Sequence, residues 1–161
     1  MDMDVRSAVL TLFAAAALVA GTSVCAFAAQ LSDTKAVATT NQAFITAFSS
    51  RNLSAMEQVW AHQPYVTNVG PRSRVRNTGY EAVHKYWKES FKYFSRISIS
   101  SRETKIRVNG NVAWVVGLET EEFEPKSGGE PLTFETFVTN IFEKSAGRWL
   151  LVSHHAQAIP K

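Results

Sequence analysis

Cysteine is almost absent from this 161-residue, 17.8 kDa chain, whose single example is Cys25. Intrachain disulfides are thereby excluded, and so is any site built from several thiolates. Proline (5) and glycine (8) are too few for a collagen-like or low-complexity chain. Charge is sparse as well, at 19% of residues and a net +3. No P-loop, dinucleotide-type glycine motif, HExxH or Gly-x-Ser-x-Gly occurs, so the usual signatures of nucleotide, zinc-peptidase and serine-hydrolase chemistry are missing. Nor is there an apolar run long enough to span a bilayer. The size fits one domain, and 45% hydrophobic residues suffice for a packed core.

The longest apolar stretch, Ala8 to Ala20, has the length of a signal-peptide core and precedes the small-x-small site Ala26-Phe27-Ala28. Residues 1–28 are therefore expected to be a signal peptide, cleaved before Ala29 or Gln30, with residues 29–161 periplasmic or secreted. The amino end is atypical, because Asp2 and Asp4 oppose Arg6 where positive charge is the rule. An uncleaved anchor would need a stop-transfer pattern, which does not follow. A lipoprotein would need small residues before Cys25, where Thr22-Ser23-Val24 stand. No stable membrane anchor is expected after cleavage. The remaining chain would carry 16 basic and 12 acidic residues, no cysteine, and all four Trp, all four Tyr and eight of the ten Phe.

Val37, Phe44, Ile45 and Phe48 recur at helical spacing, with Asp33 as a candidate N-cap. After Arg51-Asn52, the residues Leu53, Met56, Val59 and Trp60 predict a short second helix, and Tyr80, Val83, Trp87, Phe91 and Phe94 stripe a third. Tyr65 to Val69 reads as a short strand, and residues 70–79 as a polar loop or bent hairpin. Everything beyond alternates as strands: Ile97 to Val108, Val112 to Glu124, Leu132 to Glu143 and Arg148 to Ala158, with Asn109-Gly110 a strong hairpin signal. Helices first and a four-strand antiparallel meander second make an α+β pattern, with the helices covering one face of a curved sheet.

In this order and spacing the chain resembles the SnoaL-like branch of the NTF2-like superfamily. Ala47 through Trp60 looks like its helix-corner-helix, Gly79-x-x-Ala82-Val83-x-x-x-Trp87 like its third helix, Asn109-Gly110-Asn111-Val112-Ala113 like its hairpin, and Gly147 to His155 like its closing strand. The likeness covers about residues 36 to 158. It implies an NTF2-like (cystatin-like) cone, three helices packed on a strongly curved, mostly antiparallel sheet, with a pocket and frequent homodimers. Activities within the superfamily are diverse, so the fold does not supply the reaction.

Strand alternation puts Trp149, Leu151, Ser153, His155 and Gln157 on one face and His154 on the other, so the two histidines cannot share a metal. The resemblance aligns His155 with a recurrent closing-strand histidine of the family, which would place it at the cavity as a general base or hydrogen-bond donor. Alternation also pairs Glu119 with Glu121 on one face, and a carboxyl inside an apolar cone has the raised pKa of a proton shuttle. Glu119 and His155 are thus the candidate catalytic residues. Trp60, His62, Tyr65, Trp87, Phe91 and Trp114 are the candidate ligand-binding wall, unless these aromatics simply fill the core. A departure from many relatives is Phe137, which stands where they carry Arg, two residues before Thr139.

Arg72, Arg74 and Arg76 make a basic loop that can attract acidic ligands. Nucleic acid is not expected as a partner, because the basic residues lack interleaved aromatics. Three functions remain open: binding of a small hydrophobic or aromatic molecule, catalysis by a cofactor-independent isomerase, cyclase or hydrolase, and a dimerisation module without ligand. No cofactor is expected.

Overall fold

The computed structural model describes residues 29–160; the expected signal peptide, with Cys25, lies outside the described residues. These residues comprise three helices and a six-stranded sheet. Helix α1 (29–49) turns Val37, Phe44, Ile45 and Phe48 into the core, as their spacing requires. It stops at Arg51, whose φ of 54° is left-handed, while Asn52 N–H bonds back to the Ala47 carbonyl at 2.9 Å. Asn52 then caps α2 (Leu53–Val59) by accepting from Ala55 N–H at 3.0 Å. Asp33 is not the cap it was expected to be, because α1 already runs through it. Its carboxylate instead accepts from Lys144 Nζ at 2.6 Å and Trp149 Nε1 at 3.0 Å, tying α1 to the turn end of the β5–β6 hairpin.

Trp60 closes α2 in an extended conformation, and the chain continues through β1 (Thr67–Val69) and β2 (Asn77–Thr78) to α3 (Tyr80–Tyr93). On α3 the buried residues are Val83, Trp87 and Phe91, an i, i+4, i+8 stripe. The rest is β3 (Phe94–Asn109), β4 (Val112–Pro125), β5 (Leu132–Ser145) and β6 (Arg148–Ala158), paired antiparallel as the expected meander. Ala146 and Gly147, both at positive φ, make the two-residue turn before β6. Strand order is β2-β1-β6-β5-β4-β3, so the sequence reading missed that β1 joins β6 in parallel. That pairing sets Asn68 beside His154.

Two irregularities position the site. One bulge lies in β3 between Arg102 and Lys105, where Glu103 has φ 55°. The other lies in β6: Ile141 pairs Ser153 while Phe142 pairs Leu151, leaving Val152 as the extra residue. The helices cover the concave face. Between them and the sheet, Phe44, Phe48, Trp60 and Trp87 interlock, with Phe48 and Trp87 ring centroids 4.8 Å apart and edge-on. Among the described residues no helix is long and apolar enough to cross a membrane.

Candidate functional site

A cavity of about 240 Å³ opens between α3, the Gly70–Ser73 loop and the ends of β3, β4 and β5. Its walls are mainly aromatic: Phe48, Phe94, Phe123 and Phe134, joined by the Tyr86 phenol. Tyr86 reaches this place because Gly70 has no side chain; a Cβ there would stand 2.4 Å from the phenol oxygen. Burial raises the Tyr86 pKa, the charge of Glu121 adds to the rise, and the Ser90 and Asn68 side chains beside it act the other way.

Two residues before Phe123 on the same face of β4, and paired across strands with the wall residue Phe134, lies Glu121, which is not itself in the lining. It is 1% exposed, and its carboxyl is pushed up to about 7, chiefly by burial and further by Glu119. Thr136 Oγ1 donates to Glu121 Oε1 at 2.9 Å, which pulls the other way, while Oε2 is buried without a partner. Asn68, fully buried on β1, makes no full side-chain hydrogen bond, although it stands close enough to the Tyr86 phenol to lower its pKa. A buried polar atom without a partner costs about 1–3 kcal/mol, so these atoms are predisposed to take a ligand's polar group.

Glu119 lies deeper on the same face, where Ser101 Oγ donates to it at 2.9 Å and burial raises its pKa. Beside it is a chamber of about 10 Å³, near the size of one water, lined in part by Asn41, Ser101 and Asn140. His154 is buried and its pKa is lowered to about 3, first by burial and then by His155, so the imidazole is neutral. Its Nδ1 lies 2.7 Å from Asn140 Oδ1, and Asn140 Nδ2 donates to Asn41 Oδ1 at 2.8 Å. In this chain of bonds Nδ1 carries the proton, which leaves Nε2 as an acceptor.

The structure therefore separates the residues singled out from sequence. Glu119 is inside, on the face it shares with Glu121. His155 is not at the cavity; it is exposed on the outer sheet face, and His154 is the inward histidine. The bulge at Val152 reverses the alternation halfway along β6, so Trp149 and Leu151 point inward and, beyond it, so do His154 and Ala156. Trp114 also lies outside, because Ala113 and Val115 take the inward positions. Tyr65 is 53% exposed and donates to Glu143 Oε2 at 2.6 Å. His62 is exposed and stacks on Tyr80 at 3.9 Å. Trp60, Trp87 and Phe91 are core residues and do not line the aromatic cavity. Trp60 and Trp87 border a crevice of about 10 Å³ near α2 and α3. The cavity walls Tyr86, Phe123 and Phe134 went unrecognised, and only the shared parity of Phe123, Glu121 and Glu119 hinted at them. Among the described residues no cluster of three or more His, Cys, Asp or Glu could hold a metal ion.

Comparison with known proteins places this architecture. The sequence profile of the SnoaL-like domain matches residues 37–160. The chain belongs to the SnoaL-like domain family. This SnoaL-like chain is 27% identical over 126 residues to an F-box protein of Arabidopsis thaliana, covering 78% of the chain and 51% of that protein, so it spans about half of that relative's length. Among solved structures it resembles a proposed dehydratase of the NTF2-like family from Streptomyces avermitilis (20% identity, 82% of this chain and 99% of that one, TM-score 0.74). It also resembles a proposed scytalone dehydratase from Novosphingobium aromaticivorans (11% identity, 81% and 86% covered, TM-score 0.72). Likeness at these identities is likeness of fold.

Proposed function

We propose that this SnoaL-like chain binds a small, mainly apolar molecule in the aromatic cavity and that Glu121 exchanges a proton with it. The reaction class is a cofactor-independent isomerisation or elimination next to a carbonyl. The observation that carries this reading is the Glu121 carboxyl itself, buried on β4 next to two cavity walls, Phe123 on its own strand and its cross-strand partner Phe134, titrating near neutrality and leaving Oε2 without a partner. A group with a pKa near the working pH can both take and return a proton. Asn68 and the Tyr86 phenol stand nearby as hydrogen-bond donors for a substrate oxygen. Glu121 replaces the sequence-based choice of Glu119, whose carboxylate is already held by Ser101. Export after cleavage before Ala29 or Gln30 belongs to the same reading, supported by the apolar run and the Ala-Phe-Ala site.

The experiment is native mass spectrometry of the protein from an exporting host, followed by turnover assays on whatever compound it retains. Ser90→Phe, which fills the cavity, should abolish retention, and Glu121→Gln should lower turnover by about 10²-fold or more. Undiminished turnover in Glu121→Gln would remove Glu121 as the shuttle, and retention surviving Ser90→Phe would move the ligand elsewhere.

A second reading concerns the outer sheet face. Trp114, Val116 and Phe137 are exposed there, at 39%, 36% and 59%, and pairing of Leu118 with Phe137 makes them contiguous across β4 and β5. An apolar patch on a sheet surface marks an interaction face. We propose that a second copy of the chain covers it.

A further inference from the structure

The basic loop noted in the sequence meets the cavity at one residue. Arg72 lines the opening, and its guanidinium carbon lies 5.8 Å from the centroid of the Phe134 ring. Four other arginines are engaged with the protein: Arg96 and Arg102 pair with Glu124 and Glu135, and Arg51 and Arg148 donate to the Phe94 and Gln58 carbonyls. Arg72 makes no such bond among the described residues, and its charge rests on the aromatic wall. The neighbouring Ser73 hydroxyl is already committed to the Val75 carbonyl, so the mouth presents one cationic group, shaped for two-point contact with a carboxylate.

The inner end has the opposite character. Glu121 is not itself in the lining but adjoins two of its walls, two residues from Phe123 along β4 and paired across strands with Phe134. Its carboxyl, with that of Glu119 beyond, opposes a second negative charge at that depth. Between the two ends the walls are aromatic.

Resting on the reading that this cavity is the ligand site, we propose that its ligand is a small apolar carboxylic acid bound as the anion, with the carboxylate on Arg72 and the apolar body among the Phe94, Phe123 and Phe134 rings. The volume fixes the size of that body. Benzene occupies an engineered protein cavity of about 150 Å³, so about 240 Å³ accommodates one substituted ring or two fused rings. Arg74 and Arg76, exposed on the same loop, add a positive field that draws the anion to the mouth.

The test compares two compounds that share a ring system and differ in charge, 2-naphthoate and 2-naphthylmethanol. Both are titrated calorimetrically into the folded protein at pH 8, at low and high salt. The protein should bind 2-naphthoate about tenfold more tightly, with the margin shrinking as salt rises. Arg72→Ala should remove that margin by weakening 2-naphthoate alone, and Arg72→Lys should restore part of it. Equal affinities in the parent protein, a margin that survives Arg72→Ala, or binding of 2-naphthylmethanol only would each overturn the acid preference while leaving the cavity reading intact. Failure of both compounds to bind would overturn the cavity reading and this inference with it.

Discussion

Replacing Glu121 by Gln tests the electrostatics of the site through stability, without knowledge of any substrate. In the folded protein this carboxyl titrates at about 7, against an ordinary value of 4.5. Below pH 4.5 both folded and unfolded chains hold the proton, and the group contributes no pH dependence. Between 4.5 and 7 the unfolded chain has lost the proton while the folded chain retains it, so stability falls as pH rises. Above 7 the cost is complete and the profile levels off. At 1.36 kcal/mol for each tenfold change, the rise amounts to about 3 kcal/mol. Gln keeps an oxygen for the Thr136 hydroxyl but cannot ionise. Relative to the parent protein, Glu121→Gln should therefore gain about 3 kcal/mol between pH 4.5 and pH 8, or roughly 10 °C in melting temperature for a domain of this size. The assay is urea and thermal unfolding of both proteins across that range, read as the difference between them, in which the titrating groups not coupled to Glu121 cancel. Parallel profiles with a constant offset would refute the buried, raised carboxyl.

Two further outcomes follow from the packing. Gly70→Ala puts a methyl 2.4 Å from the Tyr86 oxygen, so the phenol must leave its place at the cavity; stability should fall by about 1–3 kcal/mol and 2-naphthylmethanol binding should weaken, and unchanged values of both would contradict the close approach. Trp114→Lys with Phe137→Glu should convert a dimer to a folded monomer in analytical ultracentrifugation; a dimer that persists in the double variant places the interface elsewhere.

Much of the fold was legible because its signals are local. The stripe Val83, Trp87, Phe91 is written in helical spacing, Asn52 is a capping residue by chemistry, and Asn109-Gly110 marks a hairpin. The β1–β6 pairing was not, since it joins residues some 85 positions apart through backbone bonds that leave no side-chain pattern. Half of the candidate site followed the same division. Alternation was enough to put Glu119 and Glu121 together, because β4 runs without interruption from Val112 to Pro125. Alternation failed on β6, where one extra residue at Val152 exchanges the faces of His154 and His155, and nothing in Leu-Leu-Val-Ser announces a bulge. Trp114 was misplaced for a different reason: its aromatic character suggested a wall, whereas the parity set by Ala113 and Val115 points it outward. Tyr86, Phe123 and Phe134 come from three elements, and only the tertiary fold reveals that they face one space.

The most direct test of the account is a crystal structure of the protein with 2-naphthylmethanol. The expected result is the ring held among Phe94, Phe123 and Phe134, with the hydroxyl directed inward to Glu121 Oε2 or the Asn68 amide. A compound bound instead on the outer sheet face at Trp114 and Phe137, with none in the cavity, would contradict it.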